Sequence, residues 1–212
     1  MKKLKSLRIV PALEVGEDVI FGFLLDNFFV DEPMNSYLKR RPAMEEFKPL
    51  AYVKDGYSFV AFAEDGNGKE QVAGVVINKI ESKEKQYRPP PKEGKGMLIF
   101  NVLDTLDKKF DVWSRVQINE LFYTIILSVS RDYRGLNIGS ELVQTSLKKA
   151  AACGLTHAVV ECSSFYSARI IEKFGYEKIC EMRYEDYKNE NGEVIFKIDK
   201  PHEAVVKYLK TL

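Results

Sequence analysis

The apolar run LFYTIILSV at residues 121–129 constrains the fold more than any other segment of this chain. An extended segment that is apolar on both faces is typical of a central strand buried on each side. The run leads through a glycine-containing loop into a helical pattern from Ile138, which ends at Gly154, a typical C-terminal stop. We therefore predict a strand, a loop and a helix at the centre of an α/β domain.

Further strands and helices are predicted on both sides of this unit. The strands lie at residues 6–13, 57–64, 71–81, 156–162, 176–186 and 193–198, and the helices at 17–29, 33–50, 95–112 and 165–174. Residues 87–96 have the sequence YRPPPKEGKG, and because proline supplies no backbone donor, this segment predicts a surface loop that could border a substrate entrance. A chain of 212 residues favours one domain that spans residues 1–212.

The composition argues against several classes of partner. Lys plus Arg (32) nearly cancels Asp plus Glu (31), so no global field attracts nucleic acid or an anionic membrane. The N-terminal segment lacks the apolar region of a signal peptide, and no segment approaches membrane-spanning length. Three cysteines without metal-ligand spacing indicate reduced thiols. We expect a cytoplasmic monomer or weak dimer that binds neither nucleic acid nor a membrane.

The loop between the central strand and its helix has the composition of an anion-binding turn. Gly135, Asn137 and Gly139 alternate with bulkier residues directly before the helix. Such residues let consecutive backbone N–H groups turn toward one point, and the helix N-terminus adds unpaired donors and about half a positive charge. Arg134 adds a guanidinium that can pair with phosphate oxygens. The loop predicts a pyrophosphate cradle, although a tight structural turn would explain the same glycines.

Other cofactor and metal sites fit this sequence poorly. The loop lacks the acidic residue about 20 positions on that accompanies a dinucleotide-binding GxGxxG, and no Gly-Lys-Ser/Thr follows to make a Walker loop. His157 and His202 lack partners at metal-ligand spacing, so we expect no metal. Cys162 is interpreted as a small buried residue rather than a nucleophile, because no motif places a histidine to activate it.

Four segments carry a resemblance to a known family. RGLNIG (134–139) resembles the pyrophosphate-binding signature of the GNAT acetyltransferase superfamily, with Asn137 in place of the first signature glycine. FFVDEPMN (28–35), CSSFYSARIIEKFGY (162–176) and EVIFKIDKPH (193–202) resemble the insect arylalkylamine N-acetyltransferases of that superfamily. The resemblance implies an α/β fold with a mixed, mostly antiparallel sheet, splayed central strands and flanking helices. It also implies acetyl-CoA as co-substrate and a small amine as acceptor.

The same resemblance implies roles for individual residues. Glu32 corresponds to a general base, and Ser163 and Ser167 complete the catalytic arrangement. The implied cofactor-binding residues are Leu127, Ser128, Val129, Arg134, Gly135, Leu136, Asn137, Ile138, Gly139, Ser140 and Tyr166, and those near the substrate are Phe28, Phe29 and Pro33. Many GNAT enzymes have a tyrosine acid at the position of Ile171, so Ser167, Tyr166 or water must protonate the departing thiolate here.

Acetyl transfer to an amine requires a base near the nitrogen. A primary amine with a pKa near ~10.4 costs about 4 to 5 kcal/mol to present as its free base at pH 7. A carboxylate flanked by Phe28, Phe29 and Pro33 can accept that proton, although from the residues alone an exposed acid that ends a helix is the simpler interpretation of Glu32.

The expected acceptor is an arylalkylamine such as dopamine, serotonin, tyramine or octopamine. The aromatic residues of the segment FFVDEP and the available tyrosines are compatible with a pocket that attracts an aromatic amine. The alternatives are a non-aromatic amine (polyamine, histamine or hydrazine), a longer acyl-CoA, and a regulatory module that binds acyl-CoA without turnover.

Overall fold

The computed structural model describes residues 4–65, 68–85 and 94–212. In these ranges the strands are β1 (Leu4–Pro11), β2 (Phe59–Asp65), β3 (Glu70–Ser82), β4 (Glu120–Val129), β5 (His157–Cys162), β6 (Glu177–Arg183) and β7 (Ala204–Thr211). The α-helices are α1 (Glu17–Asp26), α2 (Phe28–Asp31), α3 (Pro33–Tyr37), α4 (Lys95–Lys109), α5 (Val112–Arg115), α6 (Ile138–Ala152) and α7 (Phe165–Glu172).

The strands form one mixed sheet in the order β1-β2-β3-β4-β5-β7-β6. The pair β4–β5 is parallel, and the other neighbouring strands are antiparallel. Helix α6 connects the two parallel strands, as a crossover between parallel strands requires. The predicted mostly antiparallel α/β sheet is therefore confirmed.

The central strands β4 and β5 separate after a short contact. Their pairing covers Phe122–Thr124 on β4 and Ala158–Val160 on β5. On the other side of β4 the register with β3 shifts, so that Ile126 pairs with Ile77 and Thr124 with Asn78. Ile125 is thus the extra residue of a β-bulge, which bends a strand and increases its twist. The bulge coincides with the point where the predicted splay begins, and it opens a wedge between β4 and β5.

Helices cover both faces of the sheet. Val75 on β3 packs with Ile20 of α1, whereas the next residue, Val76, packs with Leu142 of α6. Adjacent strand residues point to opposite faces, so α1 and α6 lie on opposite sides of the sheet. A Cβ at Gly74 would lie 2.9 Å from a methyl carbon of Leu142, so this glycine lets α6 approach the sheet closely. The start of α6 is thereby held beside the wedge.

The last strand was wrongly predicted. Residues 193–198 form only an isolated bridge between Val194 and Lys188, and the strand is instead β7, which lies between β5 and β6. Lys207 occupies a buried position of β7 and interrupts its apolar pattern. Its ammonium is compensated by an ion pair with Asp107 of α4, a contact that the local sequence does not reveal.

The first two predicted helices are broken. The helix predicted at 17–29 ends at Asn27, whose side-chain amide donates to the Phe23 carbonyl (2.9 Å). The helix predicted at 33–50 consists of the five-residue α3 followed by 3₁₀ turns. Glu32 has extended backbone angles (φ −69°, ψ 126°), as expected directly before a proline. The predicted loop at 87–96 lies mostly outside the described residues, and α4 begins at Lys95.

Candidate active site

The wedge between β4 and β5 opens into a cleft of about 2250 Å³. The loops after β4 and β5 form one part of its wall, and α2 and α3 form another. The predicted site residues that line the cleft are Phe28, Glu32, Pro33, Leu127, Ser128, Val129, Arg134, Gly135, Asn137, Ile138, Gly139, Ser140, Ser163, Tyr166 and Ser167. The structure thus brings together residues that are up to 139 positions apart in the chain, from Phe28 to Ser167.

Two of the predicted site residues lie elsewhere. Phe29 is 2% exposed and packs edge to face against Phe47, with ring centroids 5.1 Å apart. The guanidinium of Arg40 also lies over this ring, 5.5 Å from its centroid. Leu136 packs against the core beneath α6. Both side chains support the walls of the cleft from behind.

The loop after β4 has the geometry of an anion cradle. Gly135 (φ 77°) and Asn137 (φ 64°) both adopt the left-handed conformation, and Asn137 is also the N-cap of α6. A Cβ at Gly135 would meet nothing within 4 Å, so that side of the loop is open. Intrahelical bonding in α6 starts with Glu141 N–H donating to the Asn137 carbonyl (3.1 Å). The N–H groups of the preceding turn therefore point out of the helix end, where an anion can accept them.

Gly139 has a different role in the same loop. A Cβ at this position would lie 2.9 Å from the terminal methyl carbon of Ile170. The glycine therefore allows α7 to pack closely against the first turn of α6. This contact places the serines that precede α7 beside the cradle.

Asp31 joins the wall of the cleft to the loop after β4. Its carboxylate accepts hydrogen bonds from Arg131 Nε (2.7 Å) and from Arg134. The hydrogen bond to Asp31 raises the pKa of Arg131, and the carboxylate charge acts in the same direction. Arg134 thus begins the cradle and contacts the segment that carries Glu32 at the same time.

Glu32 is buried at the start of α3. Its side chain is the helix N-cap: Oε2 accepts from the backbone N–H of Asn35 (2.7 Å) and from its side-chain amide (2.6 Å), and Oε1 accepts from Met34 N–H (3.2 Å). Only 9% of the residue is exposed. The simpler interpretation from the residues is therefore wrong about exposure, although Glu32 does end a helix as the C-cap of α2. Oε1, with the longer hydrogen bond, is the oxygen better placed to accept a further proton.

The serine segment is held by backbone contacts. Ser164 caps α7, because its Oγ accepts from Ser167 N–H (3.1 Å). Ser167 Oγ donates to the Ser164 carbonyl (2.9 Å). The Ser163 carbonyl accepts from the hydroxyl of Tyr184 (2.7 Å), a residue that the sequence analysis did not identify. Burial raises the pKa of Tyr184 and the charge of Glu32 adds to the rise, so the hydroxyl stays a donor.

His202, which lines the cleft, is a further residue that sequence reasoning missed. Its Nδ1 accepts from Phe165 N–H (3.2 Å), and its ring lies 5.6 Å from that of Tyr166. Burial lowers the pKa of His202; Glu32 opposes this effect and Arg134 reinforces it. The neutral ring therefore carries its proton on Nε2 and offers a donor. The signal was present in the stretch EVIFKIDKPH, which contributed to the family resemblance.

Cys162 has the buried character that the sequence analysis expected. It is 2% exposed, and burial raises the pKa of its thiol to about 12, with the nearby hydroxyl of Ser167 acting against the rise. A thiol of this kind stays protonated at neutral pH and is a poor nucleophile.

Within residues 4–65, 68–85 and 94–212, no group of three or more His, Cys, Asp and Glu side chains is arranged to hold a metal ion. In the same part of the chain, no helix combines the length and the apolar character needed to cross a membrane.

Solved structures with the same architecture include several N-acetyltransferases. Arylalkylamine N-acetyltransferase 2 from Aedes aegypti is 27% identical to this chain and superposes on it with a TM-score of 0.84. The match covers 98% of this chain and 99% of the Aedes chain. A mosquito arylalkylamine N-acetyltransferase-like protein, 5b, is 24% identical over 98% and 100% of the two chains, with a TM-score of 0.83. A Drosophila melanogaster polyamine N-acetyltransferase, which catalyses the formation of N-acetylagmatine, is 24% identical over 98% and 100%, with a TM-score of 0.78.

The family match agrees with the geometry of the cleft. The family model described as acetyltransferase (GNAT) family matches residues 24–176, a range that contains Glu32, the cradle after β4 and the serines before α7. The open, left-handed loop at the start of α6 and the splay of β4 and β5 are the features that the resemblance implied. The chain belongs to the acetyltransferase (GNAT) family.

Proposed function

We propose that this protein transfers an acetyl group from acetyl-CoA to the primary amine of a small arylalkylamine, of the class of dopamine, serotonin, tyramine and octopamine. The observation that carries the proposal is the buried carboxylate of Glu32 on the wall of the same cleft that reaches the anion cradle. The likeness to an arylalkylamine N-acetyltransferase over nearly the whole chain supports the substrate class.

The residues of the cradle fit acetyl-CoA, which supplies an activated acetyl group when bound. The backbone N–H groups of residues 135–140 and the guanidinium of Arg134 would hold the pyrophosphate. The edge of β4 that faces β5 is not used in sheet pairing beyond Thr124, so residues 125–129 can offer backbone groups to the rest of the co-substrate. Backbone N–H groups near Val129 are candidates for stabilising the oxyanion.

Glu32 is the proposed general base. Removing the proton from an alkylammonium at pH 7 costs about 4 to 5 kcal/mol, and a carboxylate within reach of the nitrogen lowers that barrier. Glu32 Oε2 is held by two hydrogen bonds from Asn35, which fixes the orientation of the carboxylate. Oε1 would take the proton, directly or through water.

Candidate proton donors for the departing thiolate line the same cleft. A thiolate with a pKa near ~8.5 needs only a weak acid. Ser167, Tyr166 and the Nε2–H of His202 are the candidates, and Ser163, whose carbonyl accepts from the Tyr184 hydroxyl, lines the same cleft. Ser163 and Ser167 are thus proposed to complete the catalytic arrangement.

Aromatic side chains on the cleft wall support the arylalkylamine class. They include Phe28, Tyr37, Phe47, Tyr52, Phe100 and Tyr123. Aromatic rings favour offset or edge-to-face contact with another ring and attract a cation over their faces. A substrate with an aromatic ring and an ammonium group would satisfy both interactions.

The test is a steady-state amine panel with acetyl-CoA, run on the wild type and on Glu32→Gln. We expect thiol release only when an amine is added, and a fall in kcat of about 100-fold or more in the variant. Glutamine keeps one acceptor oxygen for Asn35 but turns an NH2 group toward the N–H of Met34, so the melting temperature should fall, whereas the acetyl-CoA dissociation constant should change little. The matched control is Glu45→Gln, which removes an exposed carboxylate from the same cleft.

Two outcomes would contradict the proposal. Tight binding of acetyl-CoA without turnover of any amine would indicate the regulatory module instead. An unaltered kcat in Glu32→Gln, with an active wild type, would show that another group takes the proton.

A further inference from the structure

The end of α3 returns the chain toward the first turn of the same helix. Lys39 has a left-handed conformation (φ 49°), and its N–H donates to the Ser36 carbonyl (3.0 Å). The N–H of Arg40 donates to the Asn35 carbonyl (2.9 Å). These two contacts form a Schellman motif, which satisfies the last carbonyls of a helix. The motif places Arg40 beside Asn35, in the short helix whose N-cap is Glu32.

The side chain of Asn35 lies between a cation and an anion. Its amide oxygen accepts from Arg40 Nη1 (3.2 Å), and its amide NH2 donates to Glu32 Oε2 (2.6 Å). Asn35 is 3% exposed. A carboxamide has one accepting and one donating end, so it can join a guanidinium to a carboxylate in one orientation only. Arg40 therefore determines which end of the amide meets Glu32.

Arg40 is held in the wall of the cleft and interacts with the charge of Glu32. It is partly buried, lines the cleft and lies over the ring of Phe29. Burial lowers the pKa of Arg40, and the charge of Glu32 opposes this effect more strongly than that of Glu46. Hydrogen bonds with a charged partner are stronger than neutral ones, and they strengthen further where water is partly excluded. The amide of Asn35 has such a partner at each end.

We infer that Arg40 is a positioning residue of the proposed reaction, which acts on Glu32 through the side-chain amide of Asn35. This inference rests on the proposed function. Arg40 keeps the amide NH2 turned toward Oε2, so that Asn35 holds this oxygen with two donors. Oε1, whose contact to Met34 N–H is longer (3.2 Å), then faces the amine and takes its proton. Without Arg40 the amide loses the partner that fixes its rotation.

The experiment measures kcat and KM for tyramine, or for the best acceptor of the amine panel if tyramine is not acetylated. Methionine in Arg40→Met keeps an apolar stem over Phe29 but cannot donate to Asn35. We expect kcat to fall about tenfold and KM to change less than about threefold, because the orientation of the base is lost and the substrate pocket is not. Arg40→Lys keeps a donor and the charge, so its kcat should stay within about threefold of the wild type.

The matched control is Arg41→Met, which removes the same charge from the same cleft. The Arg41 side chain is 59% exposed and pairs with Asp26 (3.5 Å), so we expect kcat to stay within about twofold. The backbone contacts that end α3 do not involve the Arg40 side chain, so Arg40→Met should fold. Melting temperatures of all variants verify this.

A double variant distinguishes positioning of Glu32 from a general effect on the cleft. In the Glu32→Gln background the carboxylate on which Arg40 acts is absent. Adding Arg40→Met to that background should therefore lower kcat less than about twofold further, although it lowers kcat about tenfold in the wild type.

The outcomes separate this inference from the proposed function. No fall in kcat for Arg40→Met, an equal fall for Arg41→Met, or an equal fall in the Glu32→Gln background would overturn the role of Arg40 while leaving acetyl transfer intact. A wild type that acetylates no amine would contradict the proposed function. Hydrogen exchange at the side-chain amide of Asn35, followed by NMR, then decides the inference: equal exchange rates in the wild type and in Arg40→Met would overturn it.

Discussion

Asp31 and Glu32 are adjacent carboxylates with different partners. Asp31 accepts from Arg131 and Arg134, whereas Glu32 accepts from the first N–H groups of α3 and from Asn35. The arginine contacts hold one carboxylate at the loop after β4, and the N-terminus of α3 fixes the orientation of the other. One peptide bond therefore separates the contact to the proposed cradle from the proposed general base.

The two arginines give a matched test of the cradle. Both pair with Asp31, but Arg134 directly precedes the left-handed turn. We expect Arg134→Ala to raise the acetyl-CoA dissociation constant by about tenfold, because a charge-assisted contact with phosphate is lost. Arg131→Ala removes an ion pair with the same carboxylate and should raise it less than about threefold. Isothermal titration calorimetry measures both, and equal effects would show that the pyrophosphate lies elsewhere.

The sequence identified those site residues that belong to a recognisable local motif. Glu32 came from the segment FFVDEPMN, but its burial and its capping of α3 depend on where the helix breaks, which no short-range pattern reveals. His202 was missed because its contact, Phe165, lies 37 residues away.

At the scale of elements, the turn between β4 and α6 depends on one non-glycine residue. Asn137 has φ 64°, a conformation that costs most residues about 1–2 kcal/mol and that asparagine tolerates. We expect Asn137→Ala to lower the free energy of unfolding by about 1 kcal/mol and to weaken acetyl-CoA binding. Asn137→Gly also loses the side-chain contact to Glu141 but accepts the positive φ, so it should retain both properties. Chemical denaturation and calorimetry decide the comparison, and an equally stable alanine variant would contradict it.

Strands and helices with a clear pattern of apolar residues could be predicted from the sequence. Those whose bounds depend on tertiary contacts could not. The apolar run of β4 and the helical spacing of α6 specify those elements on their own. In contrast, β7 depends on the buried ion pair of Lys207, and the end of α1 depends on the side chain of Asn27. The wedge could not be predicted, because it depends on the β-bulge at Ile125. A bulge is defined only by the pairing of β4 with β3.

In the whole molecule, a buried polar network ties the sheet to α6. The side-chain amide of Asn78 on β3 donates to Ser146 of α6 (2.9 Å), and its carbonyl oxygen accepts from Thr124 of β4 (2.8 Å). Asn78 is fully buried, so each of these contacts is costly to break. The network fixes β4 at its last pair with β5 and holds the helix that presents the cradle.

The three-residue contact between β4 and β5 divides the backbone pairing of the sheet into two blocks, β1–β4 and β5–β7. A ligand that touches both blocks would supply the cross-links that the strands lack beyond Thr124. We expect coenzyme A at 100 times its dissociation constant to stabilise the protein by about 2.7 kcal/mol and to slow amide hydrogen exchange at the facing edges of both strands. Slower exchange in one block alone would contradict this. Binding of coenzyme A, rather than the pairing of strands alone, would then determine how rigidly the two blocks are joined.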